Sequence, residues 1–194
     1  MLRLILATSF LVCTSLQASL AAEFSLCSDF GCKTRTEASY SDPQWRQIER
    51  LFVRPALSPW LEKQRIRRAV ALMEQFSGAI NGSTQDIGGN YNGIDDLRHQ
   101  MDCIDESTNT EQYLQALERR GLLHWHRVES RQQRSRLLIF AHWSAVIHDL
   151  SNDRRYVVDS WYEDNGQPPY IQPLEAWTRA RAFSPGLNPP LGLL

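Results

Sequence analysis

The chain has 194 residues, with 42% apolar, 22% charged and 10% aromatic side chains, which excludes a collagen, a coiled coil or a disordered tail as the whole molecule. A domain of this size buries roughly two-thirds of the surface its unfolded chain exposes, so it needs neither a metal nor a dense disulfide framework to stay folded. Lys and Arg number 21 against 22 Asp and Glu, a formal charge of -1, a balance that points to neither nucleic acid nor an anionic membrane as the main partner.

Met1-Leu2-Arg3 is a short basic start, Leu4 to Leu16 is an apolar run, and Ser19-Leu20-Ala21 closes it with small residues at the positions a signal peptidase reads. Residues 1–21 therefore read as a cleaved secretory signal and 22–194 as one domain, periplasmic or secreted. The run is shorter than the ~20 residues that cross a bilayer, and no later stretch is apolar enough, so no stable membrane insertion is expected after cleavage. Cys13 follows Val12, where a lipoprotein signal takes Gly or Ala, so lipid attachment is not expected. Cleavage removes Cys13 and leaves three cysteines in an oxidising compartment, where thiols tend to pair. Cys27 and Cys32 bracket a tight Ser-Asp-Phe-Gly segment and read as a disulfide that ties down the new N-terminus. Cys103 is then the free thiol, and its surroundings decide whether it is inert or used.

From the leader to Cys103 the chain reads as helical. Ser41-Asp42-Pro43 is a start signal, and Trp45, Ile48, Leu51 and Phe52 recur at helical spacing to about Val53. Ser58-Pro59 repeats that signal. Leu61, Ile66, Val70, Leu72, Met73 and Phe76 carry a longer amphipathic helix to about Ile80, with Lys63, Arg65, Arg67 and Arg68 assigned to its solvated side. Residues 82–93 hold glycines at 82, 88, 89 and 93, a loop that must turn sharply or approach something closely. Asp86, Asn90, Asn92, Asp95 and Asp96 offer oxygens of the kind calcium takes, but no register supplies the turn glycine and twelfth-position glutamate of an EF-hand. No cofactor is expected, calcium being the one left possible.

Asp102-Cys103-Ile104-Asp105 stands after this loop and before Tyr113, Leu114, Leu117 and the Gly121 stop. That puts Cys103 in the first turn of a helix, with Asp102 as N-cap and Asp105 reciprocating in a capping box. Unpaired amides and partial positive charge at a helix start stabilise a thiolate and are aimed where an oxyanion forms. Ser107, Thr108 and Thr110 have small side chains suited to close packing on a sheet. A cysteine nucleophile needs a base, and the base needs an orienting group. Residues 137–147 form an apolar strand interrupted by His142, and residues 156–161 a second interrupted by Asp159, with a polar turn between. Titratable groups in two paired apolar strands are costly unless partnered or functional. His142 and Asp159 stand directly opposite if the hairpin centres between Leu150 and Ser151, and a few residues offset if it centres nearer Asn152-Asp153.

These residues resemble the bacterial transglutaminase-like cysteine peptidases: Asp102-Cys103 with Asp105, a helix ending Leu117-x-x-x-Gly121, His142-Trp143-Ser144-Ala145-Val146, and Val157-Val158-Asp159-Ser160-Trp161. The match runs from about Tyr91 to Trp161. The resemblance implies an α+β, papain-like fold with N-terminal helices and a central Cys-bearing helix packed on an antiparallel sheet. It also implies Cys103 as nucleophile, His142 as general base and then acid, and Asp159 as orienting carboxylate. Two positions depart from the family pattern: His99-Gln100-Met101 replaces glycines before the Asp-Cys pair, and Ser160 replaces Asn. Gln100, Asp102 and Asp105 are candidates for the oxyanion site and its immediate surroundings, with Asn90, Tyr91 and Asn92 as further donors. The implied chemistry is thiolate attack on a peptide or isopeptide amide of a peptide or protein substrate, with transfer to water or to an amine. The competing reading is a catalytically silent, exported peptide-binding module. In it, the glycine loop and Tyr162 to Tyr170 form the groove, before a short helix from Leu174 to Trp177. His124 and His126 share a strand face, but read as part of an ordinary amphipathic strand rather than a zinc site. His99 and His148 read as unpartnered surface or loop residues, and Trp143 and Trp161 as walls.

Overall fold

The structure is a computed structural model and describes residues 23–90, 98–136 and 140–180. The expected leader, the oxygen donors Asn92, Asp95 and Asp96, the donor candidate Tyr91 and the start of the 137–147 strand lie outside those residues. Within them the chain is α+β, with four α-helices and two antiparallel sheets.

The first element is a hairpin rather than a helix: β1 (Phe24–Ser28) pairs antiparallel with β2 (Thr34–Ala38). Sequence periodicity misses it because each strand has only five residues and covalent chemistry closes the turn. Asp29, Phe30, Gly31 and Cys32 all have φ between 56° and 69°, a left-handed turn that only glycine adopts freely. The expected Cys27–Cys32 disulfide spans it.

Helix α1 (Asp42–Arg50) begins as read, with Gln44 Oε1 accepting the Ser41 N–H at 2.8 Å. Helix α2 (Pro59–Asn81) starts with Ser58 Oγ accepting the Leu61 N–H and ends at Gly82, whose φ of 88° closes the last turn. The expected solvated side of α2 needs correcting. α1, β2, β6 and α3 all pack against it, so Arg67 is only 6% exposed, donating to the Pro169 carbonyl at 2.8 Å and to Gln64. Helix α3 (Cys103–Arg119) has the expected cap: Asp102 Oδ1 accepts the amides of Ile104 and Asp105, and Asp105 Oδ2 accepts that of Asp102. Its first half is rich in Ser, Thr and Asn, which favour helices poorly. Burial of Tyr113, Leu114 and Leu117, each contributing about 1.5–3 kcal/mol, outweighs that.

The second sheet runs β3 (His126–Arg136), β4 (Phe140–Asp149), β5 (Arg154–Asp159), β6 (Tyr170–Pro173), antiparallel throughout and in chain order, followed by α4 (Leu174–Arg179). Strand alternation divides its side chains. Ala145, Ile147, Val158 and Ile171 join the main core with α2 and α3, whereas Val146 and Val157 pack on Trp177 of α4 behind the sheet.

Candidate active site

Because β4 and β5 pair from Asp149↔Arg154 to Ala145↔Val158, the hairpin centres between Ser151 and Asn152. Continuing that register sets Asp159 level with Ser144, one diagonal step from His142 on the same face. A diagonal step is within side-chain reach, and His142 Nε2 meets Asp159 Oδ2 at 2.8 Å, both buried.

Arg134, which sequence reasoning passed over, completes this pair with Trp177 and Tyr162, which it had placed only in the final helix and the candidate groove. Trp177 Nε1 donates to the same Asp159 oxygen at 2.8 Å. Arg134, in register with His142 across β3 and β4, donates to the Trp177 carbonyl at 2.5 Å and to the Tyr162 hydroxyl at 2.7 Å, with its guanidinium 4.7 Å above the indole centre. Trp161, Tyr162 and Trp177 enclose the imidazole at ring separations of 5.0, 5.3 and 5.6 Å. Arg134 was hidden because Arg127 to Arg136 is polar nearly throughout and gives no apolar alternation. Only the pairing of β3 with β4 brings it opposite the histidine.

Cys103 opens α3 as expected and is the free thiol of the described residues. Its Sγ lies 3.8 Å from the Ala141 carbonyl and accepts the Trp143 amide, the backbone groups on either side of His142. The sulfur thus occupies the edge of β4 beyond its last pair with β5. The His142 side chain leaves from the face opposite the one on which α3 packs. No hydrogen bond joins sulfur and imidazole, and His142 Nδ1 is buried without a partner. The sequence led us to expect a thiolate held by the helix end. Instead burial pushes the thiol up to about 11, assisted by the charges of Asp102 and Asp159. The Trp143 and Cys103 amides pull the other way and lose.

The other first-turn candidates are engaged structurally. Gln100 accepts from the Ile87 amide and Asn90 Nδ2 at 3.1 Å each and donates to the Gln85 carbonyl at 2.9 Å, so its amide is tied to the glycine loop rather than aimed at the sulfur. Asn90 is committed with it. Asp102 caps the helix, while Asp105 accepts the Cys32 amide at 2.5 Å and that of Phe30, joining the disulfide turn to the start of α3. The disulfide turn also grips the approach to Cys103: Asp29 N–H donates to the Gln100 carbonyl, and His99 N–H to Asp29. At Gly88 an added Cβ would stand 2.6 Å from the Tyr162 carbonyl, the close approach that the glycines of this loop implied.

His126 and His148 differ from expectation. His126 is buried between Glu62, 2.9 Å from Nδ1, and Asp149, 3.9 Å from Nε2. Although burial raises Glu62, hydrogen bonds from His126 and the amides of His124 and Trp125 outweigh it and hold the carboxyl below its usual range. His148 is partnered by Asp153 at 2.7 Å and Glu129 at 3.3 Å. Among the described residues one group of three metal-binding side chains stands close together, Cys27, Cys32 and Asp105, and its two sulfurs are bonded to each other. A cavity of about 490 Å³ between α2 and the β5–β6 edge is lined by Trp60, Lys63, Arg67, Asp149 and Tyr156 and by none of Cys103, His142 or Asp159. No described helix is long and apolar enough to cross a membrane. Compared with family models, curated proteins and solved structures, the chain matches none.

Proposed function

We propose that the chain is an exported thiol hydrolase of papain-like, transglutaminase-like architecture, cleaving peptide or isopeptide amides through Cys103, His142 and Asp159. One observation carries the reading. An imidazole whose Nε2 is occupied by a buried carboxylate keeps its Nδ1 without a partner, beside strand backbone that holds the free thiol. With Nε2–H donated to Asp159, the lone pair of Nδ1 is the base. The mechanism requires the thiol and Nδ1, which share no hydrogen bond in the structure, to come within reach of each other when substrate binds. Nδ1 takes the S–H proton as sulfur bonds to the amide carbon, Asp159 offsets the imidazolium charge, and Nδ1 returns the proton to the leaving amine. The Cys103 amide, first of the helix, faces the oxyanion. Water then releases the acyl group; an amine in its place would make the protein an acyltransferase.

A buried thiol, pushed up by that burial and making no hydrogen bond to His142, favours a silent peptide-binding role instead. Alkylation by iodoacetamide separates the readings. A hydrolase labels at Cys103 near neutral pH at least about 100-fold faster than His142→Ala, the scale of general-base assistance. If both proteins label alike and only as pH approaches the thiol's own range near 11, the hydrolase reading fails.

A further inference from the structure

The near-zero net charge conceals a local excess. Arg50, Arg65 and Arg68 line one hollow together with Leu51 and Leu61. Arg65 also donates to the carbonyl of Arg54 in the connection between α1 and α2. Among the described residues none of these four arginines is paired with a carboxylate, and the nearby acids are engaged elsewhere: Arg120 binds Glu49 at 3.1 Å, and Glu62 points inward to His126. Four cations on one end, in a chain with more acids than bases, repel one another unless an external anion faces them.

The same end carries protruding apolar side chains. Val53 is 73% exposed and Leu57 89%, both in the loop that holds Arg54, and Trp60 on the first turn of α2 is 48% exposed. Single exposed apolar residues are ordinary, but aliphatic tips in the same loop as an unpaired guanidinium, next to a hollow lined by three more, match the boundary of a bilayer, where phosphates lie above acyl chains. A soluble polyanion would use the arginines and leave Leu57 and Val53 without a role. We propose that residues 50–68 form a docking surface for an anionic phospholipid bilayer. Contact is peripheral, with Val53 and Leu57 entering the headgroup layer and Arg50, Arg54, Arg65 and Arg68 on phosphates. This surface is independent of the hydrolase reading.

Co-sedimentation of the oxidised protein with vesicles tests it, comparing phosphatidylcholine alone with phosphatidylcholine containing one-third phosphatidylglycerol. Binding is expected to require phosphatidylglycerol and weaken with salt. Arg54→Gln/Arg65→Gln is expected to weaken it roughly 30-fold, and Leu57→Ser to weaken it at every salt concentration. All three positions are partly or fully exposed, and unchanged melting checks the fold. Equal binding to both vesicle types, no binding to either, or indifference to the double arginine change overturns the proposal. So does heparin binding that equals vesicle binding and ignores Leu57→Ser, which would make this a polyanion site.

Discussion

Asp159 is a buried carboxylate whose Oδ2 takes two donors, His142 Nε2 and Trp177 Nε1, each at 2.8 Å. The indole N–H holds the oxygen that the imidazole uses, and Arg134, over the indole ring and bonded to the Trp177 carbonyl, holds the indole. Trp177→Phe keeps most of the ring packing but deletes the N–H. It is expected to lower stability by about 2–4 kcal/mol, the lost hydrogen bond to a charged acceptor plus the space left behind. Left with one donor, Asp159 orients the imidazole less well, so on the hydrolase reading Cys103 labelling near neutral pH slows. Thermal melting and the labelling rate measure the two effects. A destabilised variant with an unchanged labelling rate would make Trp177 a packing residue only.

At the scale of elements, the start of α3 is held from outside by the disulfide turn, through Asp105 and through the Asp29 contacts with residues 99 and 100. Three non-glycine residues of that turn sit at positive φ, a conformation the free chain resists. Cys27→Ser/Cys32→Ser is expected to cost about 2–4 kcal/mol. It should also speed amide exchange in residues 102–106 while leaving the middle of α2 protected; exchange in α3 unchanged from the parent would show that the turn is only a tether. The same elements show what was legible in the sequence. Caps and helical periods are local, so α1, α2, α3 and the Asp102–Asp105 box could be read within a few residues. β1, β2 and β6 could not, and β3 only around its His126 end: they are short or polar, and their partners lie elsewhere in the chain. The His142–Asp159 contact was legible because two titratable groups interrupt apolar strands. The thiol's protonation was not, because helix-start amides are visible in sequence, whereas the burial that outweighs them comes from packing on β4.

For the molecule as a whole, acids buried between α2, the glycine loop, α3 and the segment after β5 set the response to pH. Burial pushes Glu74 up to about 8, Asp86 to about 7 and Asp105 to about 6, and raises Glu106 further in the same direction; their mutual repulsion adds to it, as do Asp164 on Asp86 and Glu163 on Glu74. Hydrogen bonds from the Gly166 and Met101 amides and from Ser160 only partly oppose this. In the unfolded chain these groups release their protons near pH 4. Their stabilisation is therefore complete below that pH and is lost as pH rises through 6 to 8, each group that stays protonated costing up to about 1.4 kcal/mol per pH unit. Glu62 and Asp149 act oppositely. Burial raises both, but hydrogen bonds and the nearby Lys63 and His126 hold them below the usual carboxylate range, so their stabilisation is lost as pH falls below about 4. Melting temperature should peak at about pH 4 and fall steadily toward pH 8. Glu106→Gln mimics the protonated carboxyl that bonds Asp86 and should flatten that fall, gaining stability at pH 8 relative to the parent. A peak at neutral pH, or a Glu106→Gln curve parallel to the parent's, would mean that the cluster is ionised in the folded protein.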